Sequence, residues 1–597
     1  MKKVKHICLL SILFFTTACS PNSNTASIKN TQNSISSTNS IHSPVSKDTK
    51  ESKTTNSKTT PSIKTSPSIS LPSISIPEED YLSFELLEDG SYGIKIKEDA
   101  KTVPTSIRIP NIHDNVEVTQ ILPNAFSYLH ITKIEIPDSI RKIGENAFEE
   151  TDVEEINIPD YVTQIDSCAF MDCKKLKKAT LPSQLEEIEI GLFSGCEMLE
   201  EITIPNTVKE IKQDAFSKTA IRSIKIPDQV KEISTQCFDF CTNLTDVTLS
   251  QNLETISKSA FFGCTSLTSI LLPDKVKRIE EFAFENCAKL ASIVLPDGLE
   301  YLGSRAFSFC TNLKKVTFPE LCQYGGYCFE ESGLNVREED GLQYIGDDKN
   351  PYFLIDGLKD KNQTDFILNS SAKAIGMNVF RESKVIESIV FPQGFNVISE
   401  YSFYECENLK AVNLKDGIKI IGDRSFCKCY KLEKIDLYDS ISYLGNGALG
   451  YTAIKTAHIP NTLTVLPKSL FSTCKNLTTI ILGENIETID DWAFSGCSGL
   501  AEIQIPETIK SIGSYVFSYT HASKVFIPSS VTELKEKVFW CPENPFDLYL
   551  EAATKPENWS EAWDELYNPN NKWHDSYKNN TVTIHWNQTI EDYQEAE

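Results

Sequence analysis

The residues best equipped for chemistry in this chain are its eighteen cysteines. A thiolate can attack a carbonyl, hold zinc or close a disulfide, and each role needs particular company. Zinc takes four ligands, commonly paired Cys with His. Cys168/Cys173, Cys237/Cys241 and Cys427/Cys429 are close pairs, but the eight His are scattered and none joins them. The sequence has no His-Glu-x-x-His, no Gly-x-Ser-x-Gly and no Gly-rich phosphate loop. Acids are abundant, yet no facing pair stands out. The reading is a non-enzyme with no catalytic residue, no metal and no cofactor; a wall- or glycan-degrading exoenzyme is the outlying alternative.

What orders the cysteines is phase. Cys173, Cys196, Cys241, Cys264, Cys287, Cys310, Cys406, Cys429, Cys474 and Cys497 each stand three residues after a landmark Phe. The landmarks run from Phe126 to Phe329 and again from Phe380 to Phe539, spaced 22 or 23 residues within each run. Each unit reads approximately Cys-x-x-Leu-x-x-Ile-x-Ile-Pro, a polar turn, Val-x-x-Ile-Gly, then Ala-Phe. Self-similarity at a short fixed period is the signature of a solenoid. Ile-x-Ile is a period-two strand signal, and the Pro after it stops the strand. Asp138, Asp160, Asp228, Asp274 and Asp297 follow that Pro, where a carboxylate can bond the turn backbone.

One such unit cannot bury its apolar side alone, whereas stacked units cover one another. The expected fold is a repeat solenoid of about 18 coils, roughly 80 Å long at 4.7–4.9 Å per strand. Phe261, Phe284 and Phe307 would form an interior column, with Cys264, Cys287 and Cys310 as a thiol ladder beside it. Neighbouring thiols could approach disulfide distance; reduced thiols are the favoured reading, because disulfide frameworks belong to small secreted domains.

The recurring Leu-x-x-Ile-x-Ile-Pro and Ala-Phe-x-x-Cys, as at Leu199, Ile202, Ile204-Pro205, Ala283-Phe284 and Cys287, resemble the BspA-type leucine-rich repeat over roughly residues 104–550. That resemblance implies a right-handed leucine-rich-repeat coil with a parallel β-sheet on one face, outside the cell and used for binding. It implies adhesion to host proteins or other cells, and it does not name the ligand.

The flanks read differently. Lys2, Lys3 and Lys5, the apolar run Ile7 to Phe15, and Ala18-Cys19 make a secretory signal. Cys19 resembles the acylated residue of a bacterial lipoprotein, although Thr16 departs from the usual branched aliphatic; the membrane contact would be a lipid anchor at Cys19. Residues 20–77 are a Ser/Thr/Lys/Pro-rich tether without the apolar content to fold. Residues 1–77 carry +7, which leaves −32 of the total −25 on residues 78–597. Such acidity argues against nucleic acid as a ligand. It serves either solubility or recognition.

The remaining boundaries are 78–110 for a hairpin cap, 111–330 for repeats, 331–374 for an interrupting β-hairpin segment, 375–545 for repeats, and 546–597 for a Trp-rich C-terminal cap. The interruption is either a packed bulge or a binding loop with Tyr352 and Phe353 as anchors. Trp559 and Trp563, four apart, suit a short helix in the C-terminal cap; a sugar platform is the sharper alternative. On the strand, the middle residue of Ile-x-Ile faces out. That row reads Thr180, Thr203, Lys225, Thr248, Leu271, Val294, Thr317 and onward to Ile481, Gln504 and Phe526. Leu271 and Val294 form an apolar spot on adjacent coils, a candidate contact for an extracellular protein. The chain is expected to be monomeric, with structural self-association as the rival role.

Overall fold

In the computed structural model, residues 80–346, 354–540, 545–563 and 582–596 are described. They form a parallel β-solenoid. Its first ladder comes from the Ile-x-Ile segments. Ser106–Arg108 pairs in parallel with Lys133–Glu135, Glu155–Asn157 with Lys178–Thr180, and Ser292–Val294 with Lys315–Thr317. In each, the middle residue is buried and its two neighbours are exposed. Such three-residue strands hold because each lies in register with the same three positions of the next coil.

A second ladder adds to the single sheet expected. The Val-x-x-Ile segments form two-residue strands, such as Glu232–Ile233, Thr255–Ile256, Arg278–Ile279, Tyr301–Leu302 and Gln323–Tyr324, all parallel. The glycine that follows permits the close stacking. A Cβ on Gly303 would lie 2.4 Å from the Glu280 carbonyl carbon, so no other residue fits there without a shift of backbone.

The Ala-Phe corner is a turn built by alternating backbone handedness. At every landmark the residue two before it has positive φ, from Asn124 and Asn146 to Trp492, Tyr515 and Lys537. The residue two after the landmark does the same, from Tyr128 to Tyr519. For a non-glycine residue this conformation costs about 1–2 kcal/mol. The return is a set of bonds between coils: the N–H groups of Asn146, Phe148 and Glu150 donate to the carbonyls of Ser167, Ala169 and Met171 at 3.2, 2.8 and 2.9 Å. Inside the corner the Phe rings stack. Phe261, Phe284 and Phe307 have centroids 5.2 and 5.1 Å apart and planes within 6°.

Hairpins close and interrupt the stack. Leu82–Leu86 pairs antiparallel with Tyr92–Ile96 around Gly90, and Tyr92–Ile96 then runs parallel to Val116–Ile121, covering the first coil. The interruption contains three strands, not two. Val336–Glu339, Leu342–Ile345 and Leu354–Leu358 are antiparallel neighbours, and Leu354–Leu358 rejoins the second ladder beside Ala374–Ile375.

At the interruption the two halves of the solenoid meet side by side. Ala374 and Val397, on second-ladder positions that face out elsewhere, are 1% and 0% exposed and belong to the core of the first half. The Tyr324 N–H donates to Ser399 Oγ (2.9 Å), and the Met377 N–H donates to the Tyr324 carbonyl (2.7 Å). Arg278, bonded to Glu280 at 2.8 Å, lies in the field of Glu400, whose carboxyl is pushed up by burial and by Asp423.

At the C-terminal end the expectation of a helix at Trp559–Trp563 is corrected. Those residues lie in turns, where the Trp559 indole donates to the Val531 carbonyl (3.0 Å) and the two rings meet edge to face at 5.0 Å. Both are nearly buried, so they close the last coil. The helix that does form is Ile590–Glu595, started by a capping box of Thr589 and Asp592. Its Tyr593 packs on Tyr549 and Phe526, which explains why Phe526, on the outward row, is only 4% exposed.

Candidate binding surface

The interior cysteines serve packing. All fifteen described cysteines are buried and free of disulfides. The ten in the repeating position share one bond: each Sγ donates to the landmark carbonyl of the preceding coil. Cys264, Cys287 and Cys310 reach Phe238, Phe261 and Phe284 at 3.2, 3.3 and 3.2 Å. The thiol thus meets an oxygen at the crowded corner in a space where a larger polar group would not fit. Burial pushes most of these thiols up, Cys241, Cys310 and Cys406 to about 12, whereas hydrogen bonding to Cys196 and Thr151 holds the Cys173 thiol below its usual value. Where the turn after the corner is one residue shorter, Thr219, Thr452 and Thr520 take the position and bond the landmark carbonyl of their own coil at 2.9, 2.8 and 2.9 Å. Among the described residues no group of three potential ligands could hold a metal ion.

The outer face of the first ladder is where side chains are presented. Thr180, Thr203, Lys225, Thr248 and Thr317 are exposed along it. Two shallow grooves follow the face. One, of about 540 Å³, is lined by Lys178, Thr180, Glu201, Thr203 and Asn206. The next, of about 520 Å³, is lined by Thr203, Ser223, Lys225, Asp246 and Thr248. The second opens where Glu201–Ile202 and Ser223–Lys225 do not pair, after the short turn at Thr219. The carboxylates of this region are mostly met by lysines of adjoining coils, such as Lys177 with Glu154 and Lys209 with Glu186, each at 2.8 Å. Exposed pairs of this kind contribute little stability.

Leu271 and Val294 interrupt that polar face on adjacent coils, 78% and 59% exposed. Ser269, Ile270 and Leu271 form no ladder bonds, while Ser292–Val294 pairs with Lys315–Thr317. The other candidates cannot be placed: Cys19, Tyr352 and Phe353 lie outside the described residues. One outward residue escaped the sequence reading. Ile367 is 71% exposed on the strand Asp365–Ile367, next to Val390. Its signal was the alternation in Asp365-Phe-Ile-Leu, hidden because the landmark Phe of its coil follows the interruption.

A family model described as BspA type leucine rich repeat region, in six copies, matches residues 119–245, 231–348, 358–478 and 464–546. No curated protein matches the chain. Among solved structures, a leucine-rich repeat protein from Bacteroides ovatus is 24% identical, covering 77% of this chain and 95% of its own, with a TM-score of 0.35. A leucine rich cell surface protein from Faecalibacterium prausnitzii is 21% identical over 76% of this chain and 89% of its own, with a TM-score of 0.28. The T. pallidum leucine rich repeat protein is 28% identical over 32% of this chain and 90% of its own, with a TM-score of 0.29.

Proposed function

The chain belongs to the family of BspA-type leucine-rich repeat proteins, and from that membership we propose that it is a non-catalytic binding protein of the bacterial cell surface, an adhesin for proteins of a host or of other cells. The observation that carries the reading is the division of labour between faces. Inward positions repeat with little change and are spent on packing, whereas the outward row changes from coil to coil. A side chain that neither packs nor pairs is free to be selected for contact. Leu271 and Val294 are the apolar centre of that row, with Thr248 and Thr317 as a polar rim. An apolar centre within a polar rim is how protein interfaces are commonly built.

The test is a pull-down from host extracellular proteins with the wild-type chain and with a Leu271→Asp/Val294→Asp double variant. Both side chains are solvent-facing, so the melting temperature should not move. Capture should fall at least tenfold. Equal capture by the two proteins would remove this surface from the reading.

Lipid anchoring at Cys19 is the second part of the proposal. It is supported by the basic start at Lys2, Lys3 and Lys5, the apolar run Ile7 to Phe15 and the Ala18-Cys19 junction. Several acyl chains on one cysteine hold a protein stably, whereas a single chain binds only marginally. A Cys19→Ser chain should be released into the medium; retention in the membrane fraction would put the anchor elsewhere.

A further inference from the structure

We propose that the strand Asp365–Ile367 is a docking edge for an extended segment of a partner protein, which adds as one more strand with a basic residue beside Asp365 and an apolar residue beside Ile367. This goes beyond the Leu271–Val294 surface and uses a different part of the ladder.

The edge exists because the chain leaves the ladder and returns to it. After Lys315–Thr317 and the second-ladder strand Gln323–Tyr324, the chain does not return to the first ladder: Val336–Glu339 turns away into the antiparallel insert. The ladder restarts at Asp365–Ile367, whose one strand partner is Ser388–Val390, in the register Asp365 to Ser388 and Ile367 to Val390. The Leu368 N–H donates to the Val390 carbonyl (3.0 Å), and the Thr364 carbonyl accepts from Glu387 and Ser388 (2.7 and 3.2 Å). Successive peptide groups of a parallel strand point to opposite edges. The backbone groups of Asp365 and Ile367 therefore face away from Ser388–Val390. The Asp365 carbonyl is taken by Gln363 Nε2 at 2.8 Å. The Ile367 N–H and carbonyl have no partner among the described residues, and Ile367 is 71% exposed, so this edge is open to solvent.

Open edges invite pairing, and proteins usually blunt them with lysine, proline or a bulge. This one has none of these between Asp365 and Ile367. Strand addition draws its affinity from main-chain bonds and its selectivity from alternate side chains. The selectivity here follows from charge and shape. The Asp365 carboxylate is held by the hydroxyls of Ser388 and Thr364, and Asp360 accepts the Asn362 N–H at 2.8 Å. No ion pair to either carboxylate occurs among the described residues, although Lys410 acts on Asp365 from a distance, so a lysine or arginine on the incoming strand would find carboxylates without a direct cation partner. Two positions along, Ile367 and Val390 offer an apolar row for the next outward side chain. The opposite edge, Lys315–Thr317, carries Lys314 and Lys315 and would repel such a segment.

A labelled peptide with the sequence of residues 312–319, Asn-Leu-Lys-Lys-Val-Thr-Phe-Pro, supplies the alternation and the basic residues that the edge calls for. Titrated against the full chain and followed by fluorescence anisotropy, it should saturate, and a scrambled peptide should not. Ile367→Pro removes the outward N–H and leaves the bonds to Ser388–Val390, because those come from the alternate residues. That variant should bind the peptide at least tenfold more weakly. Asp365→Lys should weaken binding to a similar extent and decides the matter if Ile367→Pro does not fold. The Leu271→Asp/Val294→Asp chain should bind the peptide normally, which separates this proposal from the surface proposed above. No saturation with the wild type, equal binding of the scrambled peptide, or full affinity in Asp365→Lys would each overturn it.

Discussion

Phe284→Ala is expected to loosen the coils on either side of it by about 3–5 kcal/mol, the usual range for truncating a buried Phe. The ring is fully buried between Phe261 and Phe307, at 5.2 and 5.1 Å, so truncation leaves a hole that neither neighbour can fill without abandoning its own stack. In a coil array each repeat touches only its neighbours, so the loss should stay local. A global melting curve would dilute the effect, because so long an array need not unfold in one step. Hydrogen exchange reports it directly. Amides of residues 261–307 should exchange roughly 10²- to several-thousand-fold faster, at about 1.4 kcal/mol per decade. Those of the Phe471–Phe539 run should be unchanged. Phe284→Leu should cost much less, since Leu449 already occupies one landmark, fully buried. Exchange rates near Phe284 that do not move, or a Leu variant as damaged as the Ala variant, would remove the ring column as a source of stability.

The same column was the most legible feature of the sequence, because it imposes a large side chain at a fixed interval. Thiols three residues later were legible for the same reason: the corner admits only a small polar group against the preceding carbonyl. The second ladder was not, since two-residue strands such as Thr255–Ile256 are too short to show alternation. The corner left only a partial compositional trace. Some of its positive-φ positions hold the usual Asn, Asp or Gly, as at Asn124, Asn146, Gly195 and Asp214, but others hold Phe282, Arg305, Tyr401 and Trp492, poor markers of a conformation that bonds between coils impose. The helix at Ile590–Glu595 had a local signal, Thr589 followed three residues later by Asp592, but only six residues to express it. As for the binding surface, Leu271 and Val294 could be picked out because strand alternation fixes which residues face out. The open edge at Asp365–Ile367 could not, since it depends on where the preceding strand goes.

The meeting of the two half-solenoids left a trace of another kind. The outward residue of the second ladder is Lys142, Gln164, Glu187, Glu210, Glu232, Thr255 and Arg278 in successive coils, and then Ala374, Val397 and Ile420 after the interruption. A polar row that turns apolar marks a covered face. Val397→Asp should therefore have the largest effect of any outward-position substitution. The new carboxylate would sit where Val397 is fully buried, near Glu400, which itself lies in the fields of Asp423 and Glu281. Arg278 is already engaged by Glu280. A buried charge without a partner costs about 3–5 kcal/mol. The two halves can escape that cost by parting, because each keeps its own stack of coils. The expected result is a larger radius of gyration by small-angle X-ray scattering, with faster exchange at Tyr324 and Met377, whose backbone groups bond across the contact. Val465→Asp is the matched control: the same substitution at the same repeat position, where the side chain is 43% exposed, should change stability by no more than about 0.5 kcal/mol. If Val397→Asp leaves both scattering and exchange where they were, the halves are held by the covalent insert and not by the packing of Val397 against the first stack.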